Sequence, residues 1–103
     1  MSVLICNYNY GRFLTKAIDS ALAQTWQNLE VIVVDDGSTD DSHKILRGYR
    51  GRVKSILKQN GGQASSFNTG IKVACGDIIC FLDSDDYWYP DKVEQIIAKY
   101  NQA

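Results

Sequence analysis

Short apolar runs alternate along the chain with segments in which apolar residues recur every three or four positions. The apolar runs predict strands at residues 2–7, 29–35, 53–57 and 77–82. Between the first two strands, apolar residues at helical spacing predict an amphipathic helix over residues 11–24. We predict a shorter helix that passes through Tyr49, a third helix over residues 64–75 and a fourth that begins near Pro90.

This alternation of strand and helix predicts one α/β domain that covers residues 1–103. Strands joined by helical crossovers pair in parallel, with right-handed connections and helices on both faces of the sheet. The run at 29–35 lacks polar alternation, which is typical of a strand covered on both faces, and 77–82 is also predicted to be buried. The run at 53–57 is expected to be the most exposed strand. We therefore predict a Rossmann-like three-layer sandwich with a mainly parallel sheet.

Composition and charge exclude several classes of protein. Of the 103 residues, 45% are hydrophobic and 22% are charged, so the chain can bury a core and is not disordered. A formal net charge of -1 argues against nucleic acid or an anionic membrane as the main partner. No apolar run approaches the roughly 18 residues of a membrane span. Because a strand is predicted directly after Met1, we expect no secretion signal.

The cysteines and the single histidine do not predict a metal site or a nucleophile. Cys6, Cys75 and Cys80 lie in apolar segments without a Cys-x-x-Cys pair, which predicts buried free thiols in a reducing, cytoplasmic compartment. His43 lies on a short polar helix, and we interpret it as a surface residue, not as a base or ligand. No Ser–His–Asp arrangement is indicated.

Polar side chains follow each of the four predicted strands. Because ligands of open parallel sheets bind outside the carboxyl ends of the strands, we predict a binding site along this edge. The candidate residues are Asn7, Tyr8 and Asn9 after the first strand, Asp35 and Asp36 after the second, residues 60–63 after the third and residues 83–86 after the fourth.

Asp83, Asp85 and Asp86 place three carboxylates within four residues. Two carboxylates about 5 Å apart repel each other by roughly 3 kcal/mol at an effective dielectric constant of ~20, and a bound cation converts that repulsion into attraction. Oxygen ligands suit Mg²⁺ or Mn²⁺, which also bridge phosphates. A calcium loop is excluded because Trp88 stands where that loop requires glycine. The alternative is a solvated acidic turn that caps the next helix.

Other strand-end residues each allow two interpretations. Asp36 could accept hydrogen bonds from a base or ribose, or could cap the following helix. Tyr8 could stack on a base or pack at the edge of the sheet. Gly62 and Gln63 could present backbone N–H groups to a phosphate at a helix start, or could form an ordinary loop-to-helix turn. Neither the phosphate-loop motif nor Gly-x-Gly-x-x-Gly is present.

Taken in order, these motifs resemble the nucleotide-sugar-binding half of family 2 glycosyltransferases, which have the GT-A fold. The resemblance extends over essentially the whole chain and depends on residues 2–9, 29–40, 60–64, 68–71 and 81–86. The chain departs from the family pattern at Cys6, where many members have proline, and at Phe67, where many have arginine.

The resemblance implies an inverting, metal-dependent glycosyltransferase that binds a nucleotide-diphospho-sugar, commonly a UDP-sugar. It implies transfer of the sugar to a hydroxyl of a glycan or lipid-linked acceptor in bacterial-type polysaccharide synthesis. Asp83-Ser84-Asp85 would be the family's Asp-x-Asp motif, with Asp83 facing ribose or diphosphate and Asp85 binding Mn²⁺ or Mg²⁺. The implied metal ligands are Asp83 and Asp85, and the implied nucleotide contacts are Asn7, Tyr8, Asn9, Asp36, Gly62, Gln63, Asp83 and Ser84.

The resemblance also implies that part of the enzyme lies outside this chain. Family members carry the catalytic base in a second half, so we expect no catalytic residue here, a fragment of a longer transferase, and no transfer by the fragment alone. Contact with the inner face of a membrane would come through those other parts. Two alternatives remain: a non-catalytic nucleotide-binding module of the same fold, and a phosphoacceptor receiver domain, which also gathers aspartates at strand ends but after its first strand.

Overall fold

The computed structural model describes residues 1–102, with side chains through Asn101; Ala103, the last residue of the predicted domain, lies outside the described residues. Strands and helices alternate as predicted, and most boundaries lie within two residues of those expected. The elements are β1 (Ser2–Asn7), α1 (Gly11–Leu22), β2 (Glu30–Asp36), α2 (Ser42–Arg47), β3 (Lys54–Lys58), α3 (Gln63–Val73), β4 (Ile79–Asp83) and α4 (Lys92–Gln102).

The four strands form one parallel sheet in the order β3-β2-β1-β4. The first two strands are therefore central, and the chain crosses from one side of this central pair to the other between β3 and β4. In the register, Asn7 lies beside Asp35, Asp36 beside Lys58, and Cys6 beside Asp83. The parallel arrangement thus brings the carboxyl ends of all four strands to one edge.

Alternate side chains of β1 and β2 enter two separate hydrophobic cores, one on each face of the sheet. On one face, α1 and α2 pack against the sheet, and the core contains Val3, Ile5, Leu14, Ala17, Ile18, Ala21, Val31, Val33, Leu46 and their neighbours. On the other face, α3 covers Leu4, Ile32 and Val34, with Phe67 and Val73 packed against them. The predicted three-layer sandwich is confirmed.

Two predictions about burial are wrong. Only Leu82 of β4 is buried, and Phe81 is 50% exposed, because β4 is an edge strand and not a strand covered on both faces. Cys75 is exposed because it follows the end of α3, whereas Cys6 and Cys80 are partly buried; all three are free. The prediction for β3 is confirmed, since it is an edge strand with no fully buried residue.

None of the described helices has both the length and the apolar composition needed to pass through a lipid bilayer.

Candidate functional site

A cleft of about 400 Å³ opens at the carboxyl ends of the strands, on the α3 side of the sheet. It contains eight of the nine residues predicted as nucleotide or metal contacts. Its lining residues are Cys6, Asn7, Tyr8, Tyr10, Asp36, Asn60, Gly62, Gln63, Ser66, Asp83, Ser84 and Asp85. The ninth predicted residue, Asn9, does not line the cleft.

Asp36 is a buried carboxylate at the end of β2. Its Oδ1 accepts hydrogen bonds from Lys58 Nζ at 2.7 Å and Gly61 N at 2.9 Å, and its Oδ2 accepts one from Gly62 N at 3.0 Å. Burial alone would raise the pKa of Asp36, but these three donors outweigh burial and hold the pKa below its ordinary value. A carboxylate has about four acceptor positions, so one remains on the Oδ2 side for a ligand donor.

These bonds change the interpretation of the loop between β3 and α3. The N–H group of Gly62, considered above as a phosphate donor, donates to Asp36, as does the N–H group of Gly61. Gly62 has φ 93°, which favours glycine, and directly precedes the first turn of α3. The first-turn N–H groups of a helix lack partners within the helix, and Gln63 brings this end of α3 to the cleft. An anion at this end of the cleft would therefore contact α3, not Gly61.

Asp83 and Asp85 are exposed carboxylates on opposite sides of the buried Ser84. Both line the cleft, and in the part of the chain that the structure describes neither side chain forms a hydrogen bond or salt bridge with another residue. Asp86 instead accepts a hydrogen bond from the N–H of Tyr87 at 2.8 Å and lies outside the cleft.

A divalent cation fits Asp83 and Asp85 only if a second molecule supplies further ligands. Among residues 1–101, no three side chains of His, Cys, Asp or Glu come together as a complete metal site. Mg²⁺ is commonly held by one or two carboxylates together with substrate phosphates, and this pair of exposed acids suits that mode.

Asn9 has a structural role in the loop after β1. Its backbone is in the left-handed region with φ 57°, its N–H donates to Ser38 Oγ at 2.9 Å, and its Oδ1 accepts a hydrogen bond from Thr39 N at 2.8 Å. These contacts join the loop after β1 to the loop after β2. Asn9 therefore positions the neighbouring Tyr8, which is 48% exposed at the cleft.

Asn7 belongs to a buried polar network that sequence reasoning missed. Its Nδ2 donates to Asp35 Oδ1 at 2.9 Å and to Ser42 Oγ at 2.8 Å. Asp35 is fully buried, and its Oδ2 lies 2.7 Å from Nε2 of His43. His43 is thus a half-exposed residue outside the cleft, as expected, but it also contacts the carboxylate that orients Asn7. In the sequence, the contact between Asp35 and His43 is indicated only by their spacing of eight residues across a predicted helix start.

Cys6 stands at the floor of the cleft as a thiol. Burial, followed by the charges of Asp36 and Asp83, raises its pKa to about 11. A thiol with this pKa is protonated at neutral pH, so Cys6 is a poor nucleophile and a poor metal ligand.

Phe67, at the position where many family members have arginine, stacks edge-on against Phe81 with ring centroids 4.9 Å apart.

The cleft also contains Tyr10 and Ser66, which sequence analysis did not select, and Asn60, which it included only as part of residues 60–63. Asn60 Nδ2 donates to the backbone oxygen of Asp36 at 3.1 Å, and a side chain at Gly37 would meet the Asn60 backbone at 2.7 Å. Asn60 therefore packs directly on the turn after β2. Its position next to the paired glycines 61 and 62 was the only hint in the sequence.

Comparison with known proteins agrees with this geometry. An uncharacterized glycosyltransferase from Nostoc sp. is 44% identical over 107 residues, which cover 100% of this chain and 33% of the relative. The structure of S. aureus TarS 1-349 in complex with UDP-GlcNAc matches with a TM-score of 0.86 and 32% identity, over 98% of this chain and 31% of TarS 1-349. A mannosyltransferase from Pyrobaculum calidifontis in complex with GDP-Man and Mn²⁺ matches with a TM-score of 0.73 and 27% identity, over 84% of this chain and 28% of that protein.

The chain thus spans about a third of the length of these relatives. The model of glycosyl transferase family 2 matches residues 2–103, and the sheet agrees with a GT-A fold like that of TarS. The chain belongs to glycosyl transferase family 2.

Proposed function

We propose that this chain is the donor-binding domain of an inverting, metal-dependent glycosyltransferase and that it binds a UDP-sugar. The observation that carries the proposal is the single cleft that brings together Asp36, Asp83 and Asp85, which lie far apart in the sequence. One end of this cleft offers a buried carboxylate with an open acceptor position, and the other offers two exposed carboxylates.

The base of the nucleotide would lie between Asp36 and Tyr8. An imide N–H, as in uracil, is a donor that the remaining acceptor position of Asp36 can bind. Tyr8 is exposed at the same cleft and can stack on a flat ring. The likeness to TarS, whose structure in complex with UDP-GlcNAc is 32% identical over 98% of this chain, supports uracil as the base.

The diphosphate would lie near Asp83, Asp85 and the first turn of α3. When bound, a divalent cation would neutralise charge that builds on the departing nucleoside diphosphate. Asp83 and Asp85 would hold this cation, and the amino end of α3 would face the phosphates, where its dipole favours negative charge. The Mn²⁺ in the Pyrobaculum complex supports a metal of this class.

The acceptor and the catalytic base would be provided by the part of the full-length enzyme that lies outside this chain. The described cleft has acids at both ends, but the one free acceptor position of Asp36 is assigned to the base, and Asp83 and Asp85 are assigned to the metal. We therefore assign no catalytic base here, and expect donor binding without transfer.

Calorimetric titration of the 103-residue chain with UDP-GlcNAc, GDP-mannose and dTDP-glucose, each with and without Mn²⁺, tests this proposal. We expect the UDP-sugar to bind most tightly and its binding to depend on Mn²⁺. In the same titrations, Asp85→Asn should weaken the Mn²⁺-dependent binding. Asp86→Asn removes the same charge outside the cleft and is its matched control. A folded chain that binds none of the three donors, with or without Mn²⁺, would contradict the proposal.

A further inference from the structure

The near-neutral total charge conceals a strong separation of charge along the chain. Residues 42–76 contain seven lysines and arginines and no aspartate or glutamate. The rest of the chain contains four lysines and arginines against twelve acids. A net charge of -1 therefore does not exclude an anionic partner at the basic segment.

Some cations of this segment have partners within the fold. Lys58 pairs with Asp36 at 2.7 Å, and Lys54 pairs with Glu30 at 3.3 Å. The guanidinium of Arg52 lies 5.5 Å from the ring centroid of Tyr49. Arg47 and Arg50 are exposed and, like Lys44 and Lys72, form no salt bridge with any residue that the structure describes.

Arg47 and Arg50 lie at a groove of about 270 Å³ between α2 and the edge strand β3. We call it the basic groove. Leu57 contributes an apolar side chain that is 56% exposed beside these cations. The lining residues are His43, Leu46 and Arg47 on α2, Ser55 and Leu57 on β3, and Arg50, Gly51 and Val53 in the segment between the two elements.

Ordinary structural roles account for only part of this arrangement. Cations in the last turn of a helix are favoured by the helix dipole, which explains Arg47 but not Arg50, three residues further on. Lysines on edge strands prevent pairing with other chains, but the two lysines of β3 already have carboxylate partners on the α3 face. Neither role calls for an exposed leucine in the same groove as the two arginines.

We propose that the basic groove docks this domain onto the phosphate headgroups of an anionic lipid bilayer. Guanidinium groups bind phosphate oxygens through two parallel hydrogen bonds, which suits Arg47 and Arg50. An exposed apolar side chain among cations is the combination that interfacial membrane binding uses, and Leu57 supplies it. A single-stranded nucleic acid fits less well, since it binds by stacking bases on aromatic side chains, and the described lining contains none.

The basic groove and the donor cleft share no lining residue. The basic groove lies on the α2 side of the sheet, whereas the cleft lies on the α3 side. Membrane docking and donor binding can therefore occur together, and each can fail without the other.

Cosedimentation with vesicles tests the docking. The protein is the 103-residue chain, and the vesicles are equal parts phosphatidylcholine and phosphatidylglycerol, or phosphatidylcholine alone. We expect binding only to the anionic vesicles, with weakening as salt is raised. Each cation near such a surface changes affinity about fivefold, so Arg47→Gln/Arg50→Gln should bind about 25-fold more weakly. Lys72→Gln/Lys99→Gln removes the same charge elsewhere on the surface and should lose much less affinity for the anionic vesicles.

Several results would overturn the proposal. One is the absence of binding to anionic vesicles. Another is an equal loss of vesicle affinity in both double variants, which would show that binding depends on diffuse charge. Binding of inorganic phosphate or of an oligouridylate through the same arginines, with no binding to vesicles, would assign the groove to a soluble anion or to RNA instead. Circular dichroism melts confirm that the variants are folded. Titration with UDP, expected to be unchanged in both variants, separates this outcome from a failure of the donor cleft.

Discussion

Replacing Asp36 with asparagine tests the link between the buried acid and the cleft. Asp36 is only 5% exposed, and both of its oxygens accept hydrogen bonds, from Lys58, Gly61 and Gly62. Asparagine keeps one oxygen and replaces the other with a donor group. The substitution therefore removes the charge that pairs with Lys58 and leaves at least one donor of the loop without its acceptor.

The expected cost follows from these bonds. A hydrogen bond to a charged group contributes about 1.5–3 kcal/mol, so loss of one bond and weakening of the ion pair predict about 2–4 kcal/mol in the free energy of unfolding. Each kcal/mol shifts the melting temperature of a domain of this size by roughly 4 °C or more, which predicts a decrease of about 10 °C or more. Uridine affinity should also fall, even without metal, because the remaining acceptor position belongs to the same carboxylate.

The pH dependence gives an independent check. Hydrogen bonds hold the pKa of Asp36 in the folded chain below its ordinary value, despite the opposite effect of burial. The stabilisation by Asp36 is therefore fully present above the unfolded-state pKa of about 3.9 and is lost as the pH falls through the lower folded-state pKa. The difference in unfolding free energy between the wild type and Asp36→Asn should be constant near neutral pH and should shrink in acid.

Thermal melts across this pH range and calorimetry with uridine measure both effects. Lys58→Met is the control, since it removes the ion pair but keeps the carboxylate and its two glycine donors. We expect it to lose part of the stability and to retain more uridine affinity than Asp36→Asn. Equal melting temperatures and equal uridine affinities for wild type and Asp36→Asn would refute the reasoning.

Three further predictions concern packing, metal and thiol exposure. A Cβ at Gly70 would lie 2.3 Å from Cδ1 of the buried Leu4, so Gly70→Ala should cost about 1–3 kcal/mol in urea unfolding despite the better helix propensity of alanine; an unchanged midpoint would argue against this contact. Asp85→Asn should weaken Mn²⁺-dependent UDP binding about tenfold or more with an unchanged melting temperature, and an unaltered Mn²⁺ titration would remove Asp85 from the site. Iodoacetamide should modify the exposed Cys75 before either partly buried cysteine, as peptide mass spectrometry can show, and simultaneous modification would contradict the burial pattern.

The central part of the fold could be predicted from the sequence because burial leaves a periodic signature. In β2, unbroken apolar residues such as Ile32 and Val33 report cover on both faces, which the structure confirms. The position of β4 could not be predicted in the same way. Its apolar run resembles that of a central strand, but strand order depends on where the crossovers place it, and at the edge Phe81 is covered only in part, by Phe67.

The location of the cleft could also be predicted, because a parallel sheet brings the residues after each strand to one edge. The hydrogen-bond partners of these residues could not be predicted. Lys58 reaches Asp36 because the register of β2 and β3 places the two residues side by side, and nothing local in the sequence fixes that register. Asn9 shares the motif of Tyr8 but faces the loop after β2 instead, since its left-handed backbone turns it away from the cleft. Strand ends therefore predict which segments meet, but not which side chains remain available to a ligand.

The acids at this edge of the sheet differ in whether their carboxylate oxygens are free to bind a ligand. Asp35 and Asp36 are buried, and most of their acceptor positions are occupied by neighbouring donors within the fold. Asp83 and Asp85 are exposed and have no such donors among the described residues, so their oxygens remain available to a ligand. Two carboxylates are too few to hold a divalent cation firmly, and a diphosphate near them is repelled without one. If the cleft binds both, as we propose, each ligand supplies what the other lacks, so we expect the cation and the diphosphate to strengthen each other's binding by the same factor, as thermodynamic linkage requires.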